Sequence, residues 1–253
     1  MSDHRPLAVA ILAAGQGKRM GDPSRAKVLA DLHGRPLLGY VLEQASALAP
    51  TSIVVIVGHQ RQAVMDFVAH VSPASTCVVQ EEQLGTGHAV RQTAPVLSGQ
   101  DADVLILSGD VPLLRSSTLQ DLVARHRNSG AVATVLTARV PDPTGYGRIV
   151  RDAEGHLAAI VEHKDASDDE RAIDEINSGV YVVRSTELFS ALERIGNTNA
   201  QREYYLTDII GILRSDGLLV DAWCAPSWEE LHGINTVADL ERAATLLLER
   251  TPS

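Results

Sequence analysis

Apolar positions along the chain follow two alternating patterns. Short runs dense in β-branched residues, at 7–13, 52–57, 76–79 and 104–107, read as buried strands bounded by turn residues. Between them, 36–45, 62–69 and 87–97 carry apolar residues at helical spacing. Strict alternation of this kind predicts an α/β fold, a parallel sheet with helices on both faces. Ligands of such sheets bind beyond the carboxyl ends of the strands, so the loops starting at Ala13, Gln80 and Ser108 are expected to meet on one rim.

Further along, a helix over 119–127 and a strand over 131–137 continue the pattern, and the periodicity then changes across 141–150. Short strands around a turn at 152–155 suggest a hairpin laid beside the main sheet, which makes that sheet mixed. The acidic run 165–174 lacks calcium-loop spacing and reads as a solvated loop. A strand over 175–183 and a helix over 185–194 follow. Thr207 and Asp208 can cap a helix reaching Leu213, and 218–223 reads as the last strand. The final helix, 237–250, puts Leu240, Ala243, Ala244 and Leu247 on one face. The chain has no internal repeat, and its 253 residues suit one α/β domain.

The loop after the first strand changes the picture from fold to chemistry. It reads LAAGQGKRM at 12–20 and continues to Lys27. Gly15 and Gly17 let backbone N–H groups approach a ligand, and Lys18, Arg19, Arg25 and Lys27 supply charge. The spacing is neither G-x-G-x-x-G, since position 20 is Met, nor the P-loop pattern. Taken alone, the loop fits a polyphosphate site and a glycine-rich turn with solvated cations equally well. Net charge weighs on the choice: the chain carries −10, yet four of its 22 Lys and Arg residues fall within 18–27. Such a positive island suits a small anionic substrate, whereas the overall charge argues against nucleic acid as partner. No apolar run has the length of a membrane span and no signal-peptide pattern opens the chain, so a cytosolic protein without a membrane partner is expected. Cys77 and Cys224, far apart in apolar contexts, read as buried free thiols.

Eight blocks in fixed order then carry a resemblance: LAAGQGKRM at 12–20, QEEQLGTGHA at 80–89, GDVPL at 109–113, YGRI at 146–149, VEHKD at 161–165, EINSG at 175–179, EYYLTD at 203–208 and GIN at 233–235. Together they resemble the uridylyltransferase domain of the bacterial bifunctional N-acetylglucosamine-1-phosphate uridyltransferases, the GlmU family, over about residues 7–240. The resemblance implies a Rossmann-like nucleotidyltransferase fold, a mostly parallel mixed sheet flanked by helices with a small accessory hairpin. It implies a nucleotidyltransferase domain over 1–235 and a C-terminal helix and tail over 236–253.

The implied reaction moves a uridylyl group from UTP to N-acetylglucosamine 1-phosphate, giving UDP-N-acetylglucosamine and pyrophosphate, with magnesium (Mg2+). The chemistry of the residues agrees, because a sugar phosphate is already largely ionised, with a second pKa of roughly 6. It therefore needs cations and in-line placement rather than a Ser, Cys or His activator. By resemblance, Arg19, Lys27 and Asp110 are catalytic, and Asp110 and Asn235 hold the metal. Leu12, Ala13, Ala14 and Gly15 line the substrate, and Gln80, Gln83 and Gly85, with Thr86 beside them, meet the uracil. Gly147, Glu162 and Asn177 meet the sugar, with Tyr205 a further candidate, while His88 reads as a structural helix-start residue. Without the blocks, the glutamines read as exposed, Glu162 as a surface charge, Asp110 as a turn aspartate and Asn235 as a helix cap.

The chain departs from the family's usual pattern at Lys18, where Thr is common, and at Ala26, where Pro is common. It is expected to lack the family's acetyltransferase activity and, without the β-helix domain, to be a monomer or weak dimer. Rival readings are another sugar-1-phosphate nucleotidylyltransferase, a dinucleotide-binding oxidoreductase, which the failed glycine spacing opposes, and a nucleotide sensor without turnover.

Overall fold

The computed structural model describes residues 5–15, 17 and 25–249. The chain opens with strand β1 (Leu7–Ala13), then a two-stranded ribbon of β2 (Asp31–Leu32) and β3 (Arg35–Pro36), followed by helix α1 (Leu37–Ser46). β4 (Ser52–Val57), α2 (Arg61–Val71) and β5 (Thr76–Val79) come next, then α3 (Thr86–Arg91), α4 (Ala94–Leu97), β6 (Asp103–Ser108), α5 (Ser116–Ser129) and β7 (Ala133–Arg139). The accessory hairpin is β8 (Arg148–Arg151) with β9 (Leu157–Val161). A short α6 (Asp168–Arg171) leads to β10 (Glu175–Arg184), α7 (Ser185–Leu192), α8 (Asp208–Ser215), β11 (Val220–Cys224) and α9 (Val237–Glu249).

The main sheet runs in the order β11-β7-β10-β6-β1-β4-β5. Its pairings are parallel except around β10, which is antiparallel to both β6 and β7, so the sheet is mixed as the sequence implies. The hairpin joins it where Ile176 of β10 pairs with Arg148 of β8. β1 is buried on both faces: Val9 and Ile11 enter one apolar layer, Ala8 and Ala10 the other. That is why it reads as a continuous apolar run instead of an alternating one. α9 covers a third cluster through Leu240, Ala243, Ala244 and Leu247, packed with Leu32, Leu37, Leu113 and Ile234.

Four expectations need correction. The helix expected over 87–97 is two, α3 and α4, because Pro95 lies at the start of α4 and a proline cannot continue a helix from behind. The acidic run is not all solvated loop: Ser167 and Glu170 close a capping box that nucleates α6. Thr207 precedes α8 without a side-chain cap: its backbone is already helical, at φ −58° and ψ −26°, whereas a capping residue is extended, and its hydroxyl donates to Glu162 Oε1 at 3.2 Å. Both cysteines are free, but Cys77 is only half-buried and Cys224 is exposed, at the end of edge strand β11.

β10 carries a bulge between Asn177 and Val180 that a period-two reading does not reveal. Gly179 takes φ +80° there, a left-handed value that glycine adopts without strain. Asn177 Oδ1 accepts from Gly179 N at 3.0 Å, and Ser178 Oγ donates to Leu136 O at 2.6 Å. Bulges of this sort re-aim side chains beside functional sites, and this one fixes Asn177.

Candidate functional site

The carboxyl rim of the parallel strands is tied together by backbone hydrogen bonds. Gly109 N donates to Leu12 O at 2.9 Å, His59 N to Ala14 O at 3.2 Å, and Gln80 N to Val57 O at 2.8 Å. These bonds bring the three expected loops together around a cleft of about 280 Å³. Its lining includes Leu12, Ala14, Gly15, Lys27, Gln80, Gln83, Gly85, Thr86, Ser108 and Asp110. Ala13 is buried in the sheet just beneath. A side chain at Gly15 would meet nothing within 4 Å, so its backbone borders open space. Arg19 and Lys18 lie outside the described residues.

A cation lines the cleft. The Lys27 ammonium donates to Asp110 Oδ2 and, at 3.0 Å, to Asn235 Oδ1. Ile234 N donates to Asp110 O at 2.9 Å, so the Asn235 turn is held against the β6 loop by backbone. Asp239 steadies that turn from the other side, accepting from Asn235 N and Thr236 N at 2.9 and 2.8 Å. Burial alone would raise the Asp239 carboxyl, but His232 and the two backbone N–H groups hold it below the usual carboxylate range. Sequence reasoning picked out all three of Lys27, Asp110 and Asn235, and the fold brings them into direct contact.

On the side of Gln80 the wall is rigid. Gln80 is 4% exposed, which overturns the solvent-exposed alternative, and its amide nitrogen lies 3.1 Å from Gly85 O and 3.0 Å from His88 Nδ1. Burial, then Arg91, lowers the His88 pKa, so a neutral ring accepts from Gln80, in keeping with a structural role. Gly85 has φ +110°, and a Cβ there would stand 2.6 Å from Tyr204 O. The segment around Tyr204 zips against this wall: Tyr204 N to Leu84 O and Gly87 N to Tyr204 O, both 2.8 Å, and Leu206 N to Thr86 Oγ1 at 3.1 Å. Thr86 thus lines the cleft and cross-links it.

Gly147, Glu162 and Asn177 also come together. Asn177 N donates to Gly147 O at 2.9 Å. A Cβ on Gly147 would lie 3.5 Å from Asn177 Cβ and 3.6 Å from Glu162 Oε1. Gly179 abuts Ser108, whose Oγ would be 3.4 Å from an added Cβ, so this group borders the cleft. Burial raises the Glu162 carboxyl, and Asp208, Asp165 and Glu203 raise it further, against the Thr207 hydrogen bond. Tyr205 is buried, donates to Asp165 Oδ2 at 3.2 Å, and shares a second pocket with Glu162, Asp165 and Asp208, so Glu162 and Tyr205 line that pocket and not the cleft itself.

Several contributors were not singled out from sequence. Ser108 and Glu203 line the cleft, and Thr207 orients Glu162. Arg148 is 1% exposed; its guanidinium donates to Tyr146 O and Arg171 O and meets His163 Nδ1, bracing the segments that carry Gly147 and Glu162. Glu203, Thr207 and Arg148 sit inside the quoted blocks, which was the available signal.

The chain is similar to known proteins over most of its length. The model of the MobA-like NTP transferase domain matches residues 9–207. The bifunctional protein GlmU of Thermobifida fusca (strain YX) is 47% identical over 99% of this chain and 52% of its own length. That of Streptomyces avermitilis is 49% identical, again over 99% and 52%. The chain thus spans about half the length of the curated relatives it matches. Among solved structures, a UDP-glucose pyrophosphorylase complexed with UDP-glucose superposes with TM-score 0.78 at 15% identity, covering 97% of this chain and 100% of that one. A putative glucose-1-phosphate thymidylyltransferase from Bacillus anthracis gives 0.75 at 19%, covering 98% and 97%. At those identities the likeness is one of fold, and it matches the mixed, mostly parallel sheet.

Proposed function

The chain belongs to the MobA-like NTP transferase family, and from that premise we propose that it transfers a uridylyl group from UTP to N-acetylglucosamine 1-phosphate, releasing pyrophosphate. The observation that carries this reading is the cation in the cleft, Lys27 on Asp110 and Asn235, in a lining it shares with Gln80, Gln83, Gly85 and Thr86.

The sugar phosphate is its own nucleophile, so the chain's work is to place it and to offset anion against anion. Lys27 supplies charge at the phosphates, as Arg19 is proposed to do. The amide nitrogen of Gln80 is engaged by Gly85 and His88, which leaves its carbonyl oxygen, with Gln83, to read the uracil edge. Glu162 accepts from sugar hydroxyls, and its acidic surroundings make a neutral hydroxyl donor a better occupant than a second anion. Asn177, pinned by its bulge, offers amide contacts to the acetamido group.

Magnesium fits the donor set present. A hard cation takes oxygen ligands, one or two of them from the protein, and here an ammonium already stands between one carboxylate and one amide oxygen. Asp110 and Asn235 would hold the ion, which when bound supplies charge neutralisation on phosphate oxygens.

Among the described residues no helix is long and apolar enough to cross a membrane. The proposed setting is the cytosol, with small-molecule substrates and no nucleic-acid partner. The test is pyrophosphate release across the four common nucleoside triphosphates and several sugar 1-phosphates. UTP with N-acetylglucosamine 1-phosphate should lead. A buried polar group left unpaired costs about 1–3 kcal/mol, so glucose 1-phosphate should lose on the order of ten- to a hundredfold in kcat/KM. Comparable kcat/KM for dTTP with glucose 1-phosphate would overturn the assignment.

A further inference from the structure

Two turns lie near the site, one carrying Tyr146 and Gly147, the other Gly233, Ile234 and Asn235. They are joined by side chains that the proposed reaction does not use. The Tyr146 hydroxyl lies 3.2 Å from His232 Nδ1, and His232 Nε2 lies 3.0 Å from Asp239 Oδ1. The other oxygen of Asp239 holds the Asn235 and Thr236 N–H groups at 2.9 and 2.8 Å. Thr236 Oγ1 in turn accepts from Asp239 N at 3.1 Å.

The protons along this chain follow from chemistry. Asp239 accepts from two backbone N–H groups through Oδ2, and its Oδ1 faces His232 Nε2 as a further acceptor, so Nε2 is the donor of that contact. The Tyr146 phenol, whose pKa burial pushes up, with Asp239 and Asp110 adding to the effect, keeps its hydrogen and is placed to donate to Nδ1. Trp228 meets the imidazole edge-on, with centroids 6.1 Å apart and planes at 82°, and limits its rotation. Both ring nitrogens are thus engaged, each by a different residue.

We propose that His232 is a positioning residue: with Tyr146 and Asp239 it forms a hydrogen-bonded strap that couples the turn carrying Gly147 to the turn carrying Asn235. The roles of Gly147 and Asn235 toward substrate rest on the function proposed above, whereas the coupling is a property of the free protein. Loss of one hydrogen bond at the Tyr146 end loosens the Asn235 turn, although Tyr146 touches neither Asn235 nor Thr236.

The test is amide hydrogen exchange in the free protein. Tyr146→Phe and His232→Leu should each speed exchange at Asn235 and Thr236 by about fivefold, the worth of one such bond. Core amides of β1 should be unchanged. The double variant should exchange no faster than the faster single, because the two residues act as one unit. His232→Gln, which keeps one donor and one acceptor, should restore most of the protection. In turnover, both single variants should raise KM for N-acetylglucosamine 1-phosphate with little change in KM for UTP. Exchange within twofold of wild type in Tyr146→Phe would overturn the strap, as would additive effects in the double variant or a Gln variant as fast as the Leu variant. A wild-type protein that transfers no uridylyl group would overturn the proposed function and leave the exchange result standing.

Discussion

The Nζ of Lys27 lies 3.0 Å from Oδ1 of Asn235, a residue 208 positions further along the chain. The same ammonium pairs with Asp110, and both carboxylate and ammonium are largely shielded from water, at 19% and 12% side-chain exposure. Asp110 and Asn235 are the two oxygens proposed to hold magnesium. A single charge of the protein's own therefore stands on the donor set that a divalent ion would need, and the two cations compete for it.

Lys27→Met separates the two roles. Turnover should fall by about a hundred- to a thousandfold, as when one preorganised transition-state contact is removed. Binding of Mn2+ to the free protein, read by the paramagnetic signal of the unbound ion, should tighten, because the competing ammonium is gone. Unchanged or weaker manganese binding would show that Lys27 does not occupy the metal's place.

Asp110→Asn removes a charge while keeping the shape. The backbone bond from Ile234 N to Asp110 O survives, so the turn should hold and the thermal midpoint should move little. Turnover at low magnesium should drop severely, with partial recovery in manganese. Near-wild-type turnover would require withdrawal of the metal assignment for Asp110 and for Asn235 with it.

How far the sequence reveals all this depends on the range of each interaction. Leu7–Ala13, Ser52–Val57 and Thr76–Val79 have the ends that their apolar runs predict, since buried parallel strands are marked by their own composition. The meeting of the loops at Ala13, Gln80 and Ser108 follows from the alternation of elements alone. The antiparallel setting of β10 does not show in the sequence, because it depends on pairing with distant strands, from Glu175 with Arg139 to Arg184 with Asp103. Thr207 illustrates the limit: it occupies the position of a helix cap, yet its partner is Glu162, 45 residues upstream. The bulge at Ser178 and Gly179 and the Tyr146–His232 contact are invisible for the same reason, while the resemblance blocks mark their neighbourhoods without saying what each residue touches.

Gly85→Ala should damage the fold as well as the site. The backbone at φ +110° is strained for any residue with a Cβ, and that atom would meet Tyr204 backbone, at 2.6 Å from O and 2.8 Å from N, which cannot swing aside. A cost of about 1–3 kcal/mol corresponds to a midpoint lower by on the order of 5 °C in a chain of this size. Scanning calorimetry checks this, and KM for UTP should rise in parallel. A variant with the wild-type midpoint would mean that the Leu84 to Tyr204 zipper is looser than its geometry.

Glu162→Gln tests whether the sugar-side carboxylate is held at a cost. Burial, with Asp208, Asp165 and Glu203 nearby, raises its folded-state pKa above the unfolded value. The folded chain therefore binds this proton more tightly than the unfolded one, and the stability it lends is present in acid and lost as pH rises through the folded pKa. At neutral pH the ionised group opposes folding, and glutamine, which can still accept from Thr207, removes that opposition. The variant should be more stable than wild type at pH 7–8, with the advantage shrinking below the ordinary carboxylate range, as thermal melts across pH would read. Its KM for N-acetylglucosamine 1-phosphate should rise, since a neutral amide accepts more weakly from a hydroxyl than a carboxylate does. A gain in stability that did not vary with pH would trace to packing rather than charge. An unchanged sugar-phosphate KM would remove Glu162 from the binding surface, whatever its effect on the fold.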